Sequence, residues 1–183
     1  MKSLHYFTGL LLFAVICSCS GSKNTVSGPK NMGALDSLVQ QKEFRIVNNW
    51  ANPMVTNAMM NLSDLLGPQN NIQRINLMGN PSYLDIKGDS VKAYLPYFGE
   101  RQMGGGYNMD GEAIQFDQEA ADMKMEYIKA KERYRIRFKA NKNSESFNVI
   151  LEIYANRKTN LMINSTQRNP IRYEGIIAPL PEE

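Results

Sequence analysis

Cys19 closes the stretch Ile16-Cys17-Ser18-Cys19. An aliphatic residue three places before a cysteine, with a small residue directly before it, is the spacing at which a thiol takes a thioether-linked diacylglycerol. Met1-Lys2 gives a basic start, and Tyr6 to Ile16 is an apolar run. That run is shorter than the ~20 apolar residues of a spanning helix, so it reads as the core of a signal peptide. Residues 1–18 are therefore expected to be removed as a lipoprotein signal peptide. Cys17 is the poorer lipid acceptor, because bulky Ile16 precedes it. The expected partner is the membrane, reached through palmitate-type acyl chains on Cys19.

Removal of 1–18 also removes Cys17 and His5, the single histidine of the chain. Without histidine there is no Ser-His-Asp triad and no usual zinc site. With Cys19 lipidated, no thiol is left for a nucleophile or a disulfide, although the periplasm is oxidising. No cofactor and no metal are implied.

Carboxylates are what remains for acid-base chemistry. Glu100, Asp110, Glu112, Asp117 and Glu119 cluster in sequence. A glycosidase needs two carboxyl groups across a cleft, ~5 Å apart for retention or ~6.5–9.5 Å for inversion. On that ground a carboxylate-dependent hydrolase of envelope glycans is the alternative enzymatic reading. Asn108, Asp110 and Glu112 also offer oxygen ligands of the kind Ca²⁺ takes, but not in the pattern of an EF-hand loop. A turn is the simpler reading.

The stretch from Gly99 to Glu112 holds five glycines and Arg101. Glycines let backbone amides approach a ligand closely, and an arginine can pair with an anion. The stretch lacks the Gly-Lys-Ser/Thr ending of a phosphate loop. It reads first as a long hairpin loop. If it holds a ligand, Tyr97, Phe98, Arg101 and Tyr107 are the candidate contacts, with Tyr94 as a further aromatic wall.

The elements that must position these residues are mostly strands. Leu35, Leu38 and Val39 repeat at helical spacing within Met32 to Gln41, which predicts one short N-terminal helix. Phe44, Ile46 and Trp50 predict a strand ending at Pro53. Val55, Met59, Leu62 and Leu66 suggest a second helix stopping at Gly67-Pro68. Ile72 to Met78 is a candidate strand. Tyr83 to Lys87 and Ser90 to Tyr97 flank Gly88-Asp89, a tight hairpin signal. Further strands are expected over Glu112 to Asp117, Met123 to Lys129, Arg133 to Ala140, Glu145 to Tyr154, Thr159 to Asn164 and Ile171 to Ile177. In the strand from Arg133, Tyr134, Ile136 and Phe138 alternate with Arg135, Arg137 and Lys139, one face in and one face out. Eight or nine short strands predict a mainly β, single antiparallel sandwich or barrel-like domain. It would span 31–183, after a flexible tether over 19–30 rich in Ser, Gly and Lys.

The formal net charge is +3, with both signs interspersed and no basic block. Nucleic acid is not an expected partner.

Leu95-Pro96-Tyr97-Phe98-Gly99 follows the Gly88-Asp89-Ser90-Val91 hairpin. Phe116, Asn164-Ser165-Thr166-Gln167-Arg168 and Ile171-Arg172-Tyr173-Glu174-Gly175 come later. Together they resemble an uncharacterised family of Bacteroidota lipoproteins, domain of unknown function 4251, over about Leu35 to Ile177. The resemblance implies an envelope lipoprotein of mainly β structure and brings no activity or catalytic residue. In that setting the absence of acidic residues soon after Cys19 points to the periplasmic face of the outer membrane. Asp36-Ser37-Leu38 and Asp89-Ser90-Val91 also fit the short O-glycosylation pattern of such envelopes. The expected role is non-enzymatic: a module for a small envelope ligand at a barrel mouth, or for a protein partner at an exposed strand or loop.

Overall fold

The structure, a computed structural model, describes residues 32–56, 71–102 and 113–181. In chain order it contains α1 (Met32–Gln41), β1 (Glu43–Pro53), β2 (Ile75–Asn76), β3 (Tyr83–Lys87), β4 (Ser90–Leu95), β5 (Ile114–Glu119), β6 (Ala121–Ile128), β7 (Arg133–Lys142), β8 (Glu145–Tyr154), β9 (Lys158–Ser165) and β10 (Ile171–Ala178).

Alternation dictates the architecture. On β7, Tyr134, Ile136, Phe138 and Ala140 are buried, while Arg137 and Lys139 face solvent. On β8, Phe147, Val149, Leu151 and Ile153 are buried. The ladder places Ala140 opposite Phe147, Phe138 opposite Val149, Ile136 opposite Leu151 and Tyr134 opposite Ile153. A slip of one residue would turn every one of these side chains outward, so burial fixes the register.

All strand pairs are antiparallel, in the order β5-β4-β3-β1-β10-β9-β8-β7-β6, with the short β2 beside β1. Apart from β10 returning to β1, and β3 following β1 with only the short β2 between them, neighbours in this order are neighbours along the chain. Its two end strands are also consecutive, since Ala120 alone separates β5 from β6. β5 pairs with β4 while β6 pairs with β7. One bent stretch of chain thus changes partner at Ala120 and draws the sheet nearly closed into a barrel. At the seam Gln118, with its amide oriented to satisfy both groups, donates to the Asn141 carbonyl at 2.7 Å and accepts from the Asn141 N–H at 3.0 Å. A side chain there makes the rung that a strand would otherwise make.

Of the two architectures the strand pattern allows, the protein adopts the barrel. Its inward residues form one apolar cluster that includes Phe44, Leu84, Phe116, Ile136, Leu151 and Leu161. Most are under 2 % exposed, so the described interior is a packed core and not a ligand-holding lumen. Leu35 and Val39 of α1 join this cluster, and the Tyr134 hydroxyl donates to Asp36 Oδ1 at 2.7 Å. The helix therefore caps the end of the barrel where β7 begins. No helix among the described residues is long and apolar enough to cross a membrane.

Two differences from the sequence pattern have physical causes. The strand expected over Ile72 to Met78 shrinks to Ile75–Asn76. Asn71 Oδ1 accepts from the N–H of Gln73 and Arg74, and Asn76 Oδ1 accepts from Met78 N–H. These asparagine turns take backbone donors away from a ladder. Second, β1 carries a register shift between Asn48 and Trp50 opposite β10. Gly175 fills that approach, where a Cβ would lie 2.1 Å from the Val47 carbonyl oxygen. The second helix expected from Val55 lies almost wholly outside the described residues.

Candidate functional site

The outer face of β1, β3, β4 and β5 carries a groove of about 750 Å³. Its floor follows from strand register. Arg45 is opposite Asp85, Asp85 is opposite Lys92, and Lys92 is opposite Asp117. One cross-strand row thus runs basic, acidic, basic, acidic. Arg45 grips Asp85 with two bonds, Nε to Oδ1 at 2.6 Å and Nη2 to Oδ2 at 2.7 Å. Lys92 Nζ lies 2.9 Å from Asp117 Oδ2. The bonds to Asp85 and to Asp117 push the Arg45 and Lys92 pKa values upward, so both stay charged.

The next row outward is aromatic. Tyr83 is opposite Tyr94, and the rings stack at 6.4 Å with 22° between planes. Arg45 lies over the Tyr83 ring, 4.3 Å from its centre. Leu180 and Pro181 form a wall, and Glu43 and Lys87 complete the charged lining. The lining holds three acids and three bases, so it has no formal net charge. A second depression of about 420 Å³ adjoins it and shares Tyr83, Lys92 and Asp117. Together they form a trough longer than either alone.

The ligand contacts expected from sequence sit elsewhere, at the barrel end away from α1. Tyr97 is 2 % exposed. Its hydroxyl donates toward the carbonyls of Glu100 at 2.9 Å and Asn169 at 3.1 Å, so burial and backbone take up this side chain. Desolvation lifts its pKa to about 12, against the opposing pull of Arg168. Phe98 is half-buried and packs on the core. Arg101 is partly exposed, with Nη2 3.9 Å from Glu145 Oε2. Tyr107 and Cys19 lie outside the described residues. Of the carboxylates singled out earlier, Glu100 accepts from the Thr56 hydroxyl at 2.9 Å and Asp117 pairs with Lys92. Asp110 and Glu112 lie outside the described residues. Among those described, no cluster of His, Cys, Asp and Glu could hold a metal ion.

This barrel end is closed by its own polar contacts. Arg168 and Glu145 are 3 % and 5 % exposed. Arg168 donates from Nε to Oε1 at 2.8 Å and from Nη2 to Oε2 at 3.1 Å, and Ser165 donates to the same carboxylate. The guanidinium stands 5.1 Å from the Tyr97 ring centre. Backbone bonds from Gln102 N–H to the Gln167 carbonyl and from Asn169 N–H to the Glu100 carbonyl stitch the chain after β4 to the chain after β9. Tyr173 donates to the Pro96 carbonyl at 2.9 Å. Leu95–Gly99, Asn164–Arg168 and Tyr173, distant in sequence, meet here.

Sequence reasoning named Tyr94 and Asp117 separately. It missed Arg45, Tyr83, Asp85 and Lys92 as a set. The available signal was the alternation of charge within the hairpin strands, but which charges face each other depends on β1 and β5 lying beside them.

The family described as Domain of unknown function (DUF4251) matches residues 29–177. The fold is similar to the crystal structure of a DUF4251 family protein from Bacteroides eggerthii DSM 20697. The TM-score is 0.54 at 13% sequence identity, over 82% of this chain and 87% of that chain. At that identity the likeness is one of fold. No curated protein matches the chain.

Proposed function

The chain belongs to the DUF4251 family, whose defining domain has no known function, and from that premise we propose a non-enzymatic binding module of the cell envelope. In this reading residues 1–18 are removed, Cys19 carries the lipid, and the domain faces the periplasm from the outer membrane. The ligand is a neutral, hydroxyl-rich segment of envelope glycan, bound along the outer trough.

The row Arg45-Asp85-Lys92-Asp117, with stacked Tyr83 and Tyr94 beside it, carries this reading. Planar carboxylate and guanidinium groups give hydroxyls fixed, paired acceptors and donors. Tyrosine faces accept the apolar C–H side of a sugar ring. Because acids and bases balance, a charged ligand finds no net field here, and its desolvation would go uncompensated. The packed interior offers no competing lumen among the described residues.

The test titrates full-length protein in detergent with neutral and with charged oligosaccharides. Neutral glycans are expected to bind with little salt dependence, since no net charge is neutralised. Tyr83→Ala and Asp85→Asn should each weaken binding about ten-fold, equal to ~1.4 kcal/mol. Tighter binding of anionic or cationic glycans, with a steep salt dependence, would overturn the reading.

A further inference from the structure

β6 is the one long strand whose ladder is single: it pairs with β7, and its other edge has no backbone partner among the described residues. An open edge invites pairing with another chain unless it is blocked. The block here covers only the beginning. The ladder is irregular between Ala121 and Lys124, Asp122 takes φ +56°, and Asp122 is held by Lys139 at 2.8 Å. From Lys124 to Ile128 the register is continuous, so the edge is regular.

The inward face of β6 is also incompletely covered. Across the ladder, Ile136 and Tyr134 are 0 % and 8 % exposed, while Met125 and Met123 are half-buried and Tyr127 is 43 % exposed. The missing cover is what a neighbouring strand supplies elsewhere in the sheet.

The sequence of this edge is complementary to itself. An antiparallel copy related by a two-fold axis through Met125 places Met125 opposite its own copy. The same axis puts Met123 opposite the partner's Tyr127, and Lys124 opposite the partner's Glu126. Apolar groups then meet on the inward face and opposite charges meet on the outward face, twice over by symmetry. Within its own barrel Lys124 attracts Asp122, which Lys139 already holds at 2.8 Å. Directly across the ladder it faces Arg137, a like charge. Glu126 already attracts Arg135 at 3.6 Å and Arg137 at 3.3 Å.

We propose that β6 is a self-association edge: two copies of this chain pair antiparallel through Lys124–Glu126 about a two-fold axis at Met125, with Met123 and Tyr127 meeting on either side, joining two barrels edge to edge. The contact is short, so the dimer is weak and concentration-dependent. This inference is independent of the trough and its ligand.

The test places cysteines along the edge of the full-length chain in cell membranes, with the wild type as background for Cys17 and Cys19. Side chains directly opposite across an antiparallel pair come within disulfide reach. Met125→Cys should give a disulfide-linked dimer. Lys124→Cys and Glu126→Cys should crosslink poorly alone and well when co-expressed. In the Met125→Cys background, Lys124→Glu and Glu126→Lys should each lower crosslinking about five-fold or more. Co-expression of those two variants should restore it, because both cross-strand pairs are then opposite in sign. Absence of a Met125→Cys dimer, equal crosslinking at all three positions, or a crosslink to a different protein would overturn the proposal. If a charge variant fails to fold, the three cysteine positions decide alone.

Discussion

At the scale of single residues, the most costly group to disturb is the pair Glu145 and Arg168. Both are removed from water, and each satisfies the other. Deleting one partner leaves an uncompensated buried charge, which costs ~3–5 kcal/mol. Glu145→Ala is therefore expected to lower the urea midpoint sharply. Replacing both residues by apolar ones of similar volume, Glu145→Leu with Arg168→Met, should cost less than the sum of the two single changes, because no charge is then stranded. Additive losses would show that the pair is not coupled. The pair is not legible in the sequence, since Glu145 reads as the first residue of a strand and Arg168 only as the end of the Asn164–Arg168 stretch. Tyr97 stood out in the sequence, but its surroundings in the fold did not. An aromatic beside a glycine-rich stretch suggests a ligand wall, and only the fold brings Asn169 and Glu100 to its hydroxyl.

At the scale of elements, strands with a strict period of two were legible almost to the residue. The observed β8 spans the predicted Glu145 to Tyr154, and β7 extends the predicted Arg133 to Ala140 by two residues. There the inside and outside of the sheet dictate opposite side-chain types, so pattern and structure carry the same information. The hairpin at Gly88-Asp89 was legible from turn chemistry, and Gly88 takes φ +62°. β2 was not, because asparagine side chains compete for its backbone. Gly175 is also opaque in sequence: its role depends on β1 being kinked exactly where β10 crosses it, a pairing of the first strand with the last. Gly175→Ala would drive a methyl into the Val47 and Asn48 backbone, so a loss of ~1–3 kcal/mol is expected from overpacking. Thermal unfolding reads it, and an unchanged midpoint would mean that the bulge relaxes freely.

At the scale of the whole molecule, both ends of the barrel depend on buried tyrosine hydroxyls. Tyr97 and Tyr173 close one end and Tyr134 ties down α1 at the other. Burial raises the Tyr97 and Tyr134 pKa values to about 12, with Asp36 also raising Tyr134, and burial puts Tyr173 well above 10. A raised folded pKa favours the protonated state, so the unfolded chain loses its protons first as pH climbs. The stabilisation is complete below pH 10 and falls as pH rises from 10 toward about 12 and beyond. Urea unfolding at pH 9 and at pH 11.5 should show this loss, and equal midpoints would contradict it. The trough, by contrast, was invisible in the sequence because its row draws one residue from each of four strands.

The ladder between β1 and β10 sets Arg45 opposite Ala178. The sheet thus receives its chain from α1 and gives it up at adjacent points. Such a module can hang from a host polypeptide as a loop, without lengthening it. It also tolerates new termini: joining its ends and cutting at the Asn143-Ser144 turn would reorder the strands along the chain while keeping every ladder.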